Sequence, residues 1–163
     1  MIIEIGPGRG VVTTVLSNIV SKVIAIELDP KLSEYLLNIF DKVSNVKVIN
    51  KDAREIDPEE LVGDKEYKVI GNLPYYAALP IIRLFLEADH KPNSMVVMVQ
   101  KEVAQNMQAS PGQMNLLSVA VQLFSNPKII GYVPPKAFKP QPKVTSAIVR
   151  LEVFKKPILE LDS

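Results

Sequence analysis

Three glycines at alternate positions, Gly6, Gly8 and Gly10, separate an apolar run, Met1–Ile5, from a segment with apolar residues at helical spacing, Val11–Val20. A turn this tight needs backbone conformations that side chains resist, and glycine lets a strand pass directly into the N-terminus of a helix. Such a junction opens a parallel α/β unit, and the same alternation continues. Lys22–Ile26 is a second strand ending at Glu27. Asp29 followed by Pro30 has the form of an N-cap and first helical residue, and predicts a helix to about Phe40. Val46–Ile49 and Tyr67–Ile70 are predicted as the third and fourth strands, and Ala77–Leu86 as a helix. Met95–Val99 is almost purely apolar, as in a strand buried at the centre of a parallel sheet. Helices are expected at Lys101–Met107 and Asn115–Phe124 and a strand at Lys128–Tyr132. A proline-rich loop follows, then a long last strand, Val144–Phe154, as a hairpin partner at the sheet edge. The pattern is that of a doubly wound α/β sheet, in which ligands bind outside the carboxyl ends of the strands.

Composition narrows the chemistry. At 163 residues, 47% hydrophobic and 23% charged, the chain is expected to form a single domain over 1–163. It has no cysteine, which removes disulfides, thiolate metal sites and cysteine nucleophiles, and points to a reducing, cytoplasmic setting. His90 is the lone imidazole, so no metal site is expected. No apolar run approaches the ~20 residues of a membrane-spanning helix. The net charge is +1, but residues 1–66 carry 8 basic and 12 acidic side chains and residues 128–163 carry 7 and 3. A basic end can attract phosphates, and equally can be a solvated lysine face.

The candidate chemistry sits where the predicted strands end. The loop EIGPGRG, residues 4–10, lets a ligand approach the backbone. Val11 stands where the dinucleotide fingerprint G-x-G-x-x-G needs its last glycine, which disfavours a nicotinamide cofactor. Glu27 can accept from both hydroxyls of an unphosphorylated ribose. Asp52, after the third strand, can accept from an adenine amine; each carboxylate alone is equally consistent with a solvated strand end. After the fourth strand comes GNLPYY, residues 71–76. Asn72 supplies an amide oxygen, Pro74 holds the turn with the Leu73 carbonyl turned outward, and Tyr75 offers a flat face. Two acceptors beside an aromatic suit an exocyclic amine on a planar base, although a proline turn over a core tyrosine would leave the same trace.

In these residues the chain resembles the ribosomal RNA adenine N6-dimethyltransferases. The resemblance runs in order through EIGPGRG, Glu27, KDA at 51–53, NLPY at 72–75, VQKEVA at 99–104 and VPPKAFKPQPKVTSAIVRL at 133–151. It implies a Rossmann-like S-adenosylmethionine-dependent methyltransferase fold, a mostly parallel seven-stranded sheet with an antiparallel edge hairpin. It also implies a catalytic core without the N-terminal segment and C-terminal helical domain usual in the family. Glu4, Gly6, Gly8, Gly10, Glu27 and Leu28 would hold the cofactor, with Asp52 and Ala53 at its adenine. Asn72, shared with the cofactor side, and Leu73 would hold the target N6, in the turn that Pro74 fixes. Tyr75 and Phe138 would sandwich the flipped base. Lys136, Lys139, Lys143 and Arg150 would meet phosphates of small-subunit ribosomal RNA, with the chain acting as a monomer. The implied reaction is direct in-line methyl transfer to N6, repeated to give dimethyladenosine. Three alternatives stay open: adenine methylation in large-subunit RNA or DNA, a non-catalytic RNA-binding assembly factor, and a nicotinamide-dependent oxidoreductase.

Overall fold

Apolar β-branched runs have few ways to satisfy their backbones once buried, and here they pair into one sheet. The computed structural model describes residues 1–74 and 76–159. Its strands are β1 (Ile2–Ile5), β2 (Val23–Glu27), β3 (Val46–Asn50), β4 (Lys68–Asn72), β5 (Ser94–Gln100), β6 (Ser125–Val133) and β7 (Ser146–Val153). They lie in the order β3-β2-β1-β4-β5-β7-β6. The first five are mutually parallel, and β7 runs antiparallel to both β5 and β6. The expected hairpin therefore forms the edge of the sheet, with β6 outermost and the long last strand inserted between it and β5.

Helices α1 (Val11–Ser17) and α2 (Pro30–Phe40) pack against β2, and α2 also meets β3. Helices α3 (Pro58–Val62), α4 (Ala78–Glu87), α5 (Lys101–Met107) and α6 (Leu116–Gln122) complete the set among the described residues. Ile3, Ile5, Ile24, Ile26, Val69, Met95 and Val97 form one core with Ile82, Phe85 and Leu86 of α4 and Ala104 and Met107 of α5. Because strand side chains alternate, Glu4 and Ala25 point to the opposite face, where α1 and α2 lie.

Asp29 caps α2 as predicted, accepting from the backbone N–H groups of Lys31 and Leu32 at 2.8 and 3.3 Å. Helix α1 stops at Ser17, short of the predicted Val20. The N–H groups of Ile19 and Val20 both turn back to Leu16, and the Asn45 side-chain amide donates to the carbonyls of Ser17 and Val20. Helix α3 was not predicted, although Asp57 and Pro58 repeat the Asp29–Pro30 start and Asp57 caps Glu59 at 2.9 Å. In β5 the burial alternates, with Met95, Val97 and Val99 buried and Val96 and Met98 only half-buried. The purely apolar run thus has one fully packed face, not two. No helix of the described residues is long and apolar enough to cross a membrane.

Candidate active site

Parallel strands deliver all their C-terminal loops to one end of the sheet, and there the loops after β1, β2, β3 and β4 enclose a cleft of about 720 Å³. Gly6, Glu27, Leu28, Asp52, Ala53, Asn72, Leu73, Pro74 and Phe138 all line it. The sequence predicted each of these nine for the site, and they come from five separate stretches of chain. Tyr75 lies outside the described residues.

Gly6, Gly8 and Gly10 all take left-handed backbone conformations, with φ of 67°, 58° and 76°. Gly6 abuts the loop after β4: a Cβ there would lie 3.1 Å from the backbone oxygen of Asn72. Glu27 is buried and ties the wall together. Its Oε2 accepts from the Gly8 N–H and its Oε1 from the Asp29 N–H, each at 3.0 Å. A carboxylate has about four acceptor sites, so capacity remains for two further donors such as ribose hydroxyls. Asn50 supports this corner, its side-chain amide donating to the carbonyls of Glu27 and Leu28 at 2.8 and 3.1 Å.

Asp52 is differently placed. Its Oδ1 accepts from the Arg54 backbone N–H at 2.9 Å and its Oδ2 from Arg54 Nη2 at 2.6 Å, while Arg54 Nε lies 3.1 Å from both oxygens. These bonds from Arg54 hold the Asp52 carboxyl below the usual carboxylate range. The Arg54 guanidinium also stands 5.9 Å from the centroid of the Tyr76 ring. Arg54 and Tyr76 both line the cleft, and sequence reasoning singled out neither. The signal for Arg54 was its place two residues after Asp52, within reach of a short-range side-chain bond.

Glu4, Gly8 and Gly10 do not line the cleft. Glu4 is buried beneath the glycine loop, where its Oε2 accepts from the Thr13 hydroxyl of α1 at 2.7 Å. Burial raises its pKa above the ordinary 4.5, opposed in part by the hydrogen bonds from Thr13. Its contribution is to hold the loop against α1. Gly10 N-caps α1 and packs on α2, and Gly8 presents its N–H to Glu27.

The loop between β6 and β7 crosses to the same end. Pro135–Ala137 forms a short 3-10 turn that sets Phe138, half-buried, in the cleft wall with Pro140 and Pro142. Lys136, Lys139 and Lys143 surround it and are exposed. Arg150 stands apart from them. It lies four residues beyond the cleft-lining Ser146, roughly 13 Å down the strand, and pairs with Glu152 at 2.9 Å.

The cleft fits an adenosine-bearing ligand: the Glu27 and Asp52 carboxylates on the wall, a glycine loop beside them, and apolar surface from Ile5, Ile26, Leu28, Ala53 and Ile81 for a planar base. No group of acidic or histidine side chains able to hold a metal occurs among the described residues.

Comparison with known proteins agrees with this geometry. The family model for ribosomal RNA adenine dimethylase matches residues 1–162. Ribosomal RNA small subunit methyltransferase A of Dehalococcoides mccartyi (strain CBDB1) is 46% identical over 160 residues, 98% of this chain; the chain spans 55% of that relative's length. Crystal structures of the 23S rRNA methyltransferase ErmE and of a dimethyladenosine transferase from Plasmodium falciparum superpose with TM-scores of 0.84 and 0.83, at 29% and 28% identity. The matches cover 98% and 94% of this chain, and 63% and 56% of those chains. The sheet is thus the S-adenosylmethionine-dependent methyltransferase fold that the sequence implied. The chain belongs to the ribosomal RNA adenine dimethylase family, whose cofactor is S-adenosylmethionine.

Proposed function

We propose that this chain is the catalytic core for N6,N6-dimethylation of adenosine in small-subunit ribosomal RNA. The observation that carries the proposal is one cleft whose wall contains both the adenosine-type acceptors, Glu27 and Asp52, and the Asn72-Leu73-Pro74 turn with Phe138. Gly6, Glu27, Leu28, Asp52 and Ala53 would hold the cofactor, which supplies an electrophilic methyl group on a sulfonium. Glu4, Gly8 and Gly10 would act from behind by shaping the loop.

The chain's own residues would then position the nucleophile. The Asn72 amide oxygen and the Leu73 carbonyl accept hydrogen bonds from the target amine and orient its lone pair. Phe138 stacks on one face of the base, opposite Tyr75 in the family pattern. Base stacking contributes roughly 1–3 kcal/mol and offsets much of the cost of extracting the adenosine. No general base is required. The carboxylates lining the cleft have other duties in this reading: Glu27 accepts from two backbone N–H groups and would take the ribose hydroxyls, Asp29 caps α2, and Asp52 would take the adenine amine of the cofactor. The amine proton would leave to water, and catalysis would rest on orientation and electrostatics. Lys136, Lys139 and Lys143 are the residues placed to meet RNA phosphates. The lining residues all lie at one end of one sheet, in keeping with a single catalytic domain over 1–163, and the chain is proposed to act as a monomer. The absence of cysteine suits the cytoplasm.

The test is calorimetric titration with S-adenosylhomocysteine and with NAD, followed by methyl transfer to small-subunit RNA. Binding of the former alone, with transfer reduced roughly 10²-fold or more in Asn72→Ala, is the expected result. NAD binding would reinstate an oxidoreductase, and RNA binding without transfer would favour an assembly factor. The superposition on ErmE gives one alternative its own support, adenine methylation in large-subunit RNA. Preferential transfer to that RNA would replace the small-subunit assignment.

A further inference from the structure

Arg54 touches both halves of the cleft. Three of its nitrogens engage Asp52, and the four contacts between them use the carboxylate's whole acceptor capacity. Its guanidinium also faces the ring of Tyr76, which is 70% exposed at the cleft, two residues beyond Pro74. An adenine amine that is to bind Asp52 must therefore take the place of an Arg54 N–H.

We propose that Arg54 is a positioning residue that couples the two subsites: cofactor binding displaces its guanidinium from Asp52 and presents it, beside Tyr76, to a phosphate of the incoming RNA. The proposal rests on the assignment of Asp52 to the cofactor's adenine. The Arg54 side chain is 46% exposed and can swing into solvent, whereas Asp52 is 16% exposed and stays in the wall, so a ligand amine that replaces the guanidinium keeps the carboxylate partnered. Once displaced, the guanidinium has a bidentate match in a phosphate. Cofactor would thus raise RNA affinity without contacting RNA, and RNA would raise cofactor affinity by the same factor.

The experiment uses S-adenosylhomocysteine, which lacks the sulfonium charge, so that changing the charge at residue 54 has no cationic sulfonium to act on. Its affinity is measured by calorimetry for the wild type, Arg54→Ala and Arg54→Lys. Arg54→Ala is expected to bind it roughly two- to fivefold more tightly, since only the backbone N–H of residue 54 then remains on Asp52 and no side chain competes for it. Binding of a short single-stranded oligouridylate carrying one adenosine is followed against salt, with and without S-adenosylhomocysteine. In the wild type the ligand should steepen the logarithmic salt dependence by about 0.7, the value for one additional phosphate contact on a single strand. Arg54→Ala should abolish that increment and Arg54→Lys should keep it, which a merely structural role for Arg54 would not produce. Weaker or unchanged ligand binding in Arg54→Ala, or an increment that survives in it, overturns the coupling while leaving the cofactor assignment intact. Failure of the wild type to bind S-adenosylhomocysteine overturns both.

Discussion

Gly8 and Gly10 stand two residues apart in the same loop, both left-handed, yet alanine at the two positions should have different consequences. The shared cost is conformational, roughly 1–2 kcal/mol for placing a residue with a Cβ in that region. At Gly8 nothing lies within 4 Å of the position a Cβ would take, so this is the whole cost. At Gly10 the Cβ would sit 2.9 Å from Leu36 Cδ2 and from Phe40 Cε2, and 3.3 Å from Phe40 Cζ. Both side chains are buried in the contact of α2 with the sheet and have little room to move. Overpacking of this kind adds about 1–3 kcal/mol. Gly10→Ala should therefore be less stable than Gly8→Ala by that difference, read from urea unfolding midpoints at unchanged slope. Against a total of about 5–15 kcal/mol both variants should remain folded.

The effect can be traced to its contact. Leu36→Ala opens space where the new methyl collides, so the double variant Gly10→Ala/Leu36→Ala should lose less stability than the two single variants summed, by at least about 0.5 kcal/mol. No such coupling is expected between Gly8→Ala and Leu36→Ala. Equal destabilisation by the two glycine substitutions would refute the reasoning, because it would mean that the loop's conformation, and not its seat on α2, sets both costs.

Three further outcomes are expected. Glu4 holds its proton to higher pH when folded than the ordinary 4.5 of the unfolded chain, so the folded state binds more protons and stability falls as pH rises through the interval above 4.5; Glu4→Gln should flatten that slope, measured by urea unfolding across the interval. Glu27→Ala removes the acceptor of two backbone N–H groups, at roughly 2–4 kcal/mol, whereas Glu27→Gln keeps one acceptor oxygen and should cost less. Circular dichroism beside calorimetry then separates loss of ligand contact from loss of the loop. Tyr67 is buried, which raises the pKa of its hydroxyl and keeps it a donor to the His90 carbonyl at 2.9 Å. Tyr67→Phe should cost about 1 kcal/mol in thermal or urea unfolding.

What the sequence made legible was local chemistry with a repeated physical cause. Asp29 and Pro30 announced α2 through a side-chain cap and a preset φ. Asp57 and Pro58 carried the same announcement, but a helix of five residues has no periodicity to corroborate it. The end of α1 was only partly legible in its own residues: the Ser17 and Asn18 side chains donate to the Thr14 carbonyl, but the Ser17 carbonyl is taken up by Asn45, 28 positions further on. Glu4 is instructive in the other direction. Ile5 lines the cleft and Ile3 shares its face, so alternation alone turns Glu4 away, toward Thr13. Its motif associated it with the ligand, while the strand's period of two gave it a different duty.

The position of Phe138 depends on something no local pattern carries, the direction of β7. The loops after β1 to β4 reach the cleft because those strands are parallel, and a seventh strand parallel to β5 would begin at the far end of the sheet. Instead β7 runs antiparallel, with Ser146 opposite Gln100, the last residue of β5. The segment that precedes β7 is thereby brought to the carboxyl end, and Phe138, Pro140 and Pro142 close the cleft from the side opposite Glu27 and Asp52 in the strand order. Sandwiching β7 between β5 and β6 lets a doubly wound sheet, whose ligand site is otherwise built from loops that leave strands, add a wall from a loop that enters one. In the proposed assignment that aromatic meets a base arriving from solvent beside the loop after β4, while the loops after β1, β2 and β3 hold the cofactor, so the reversal of a single strand lets the two halves of the site face each other.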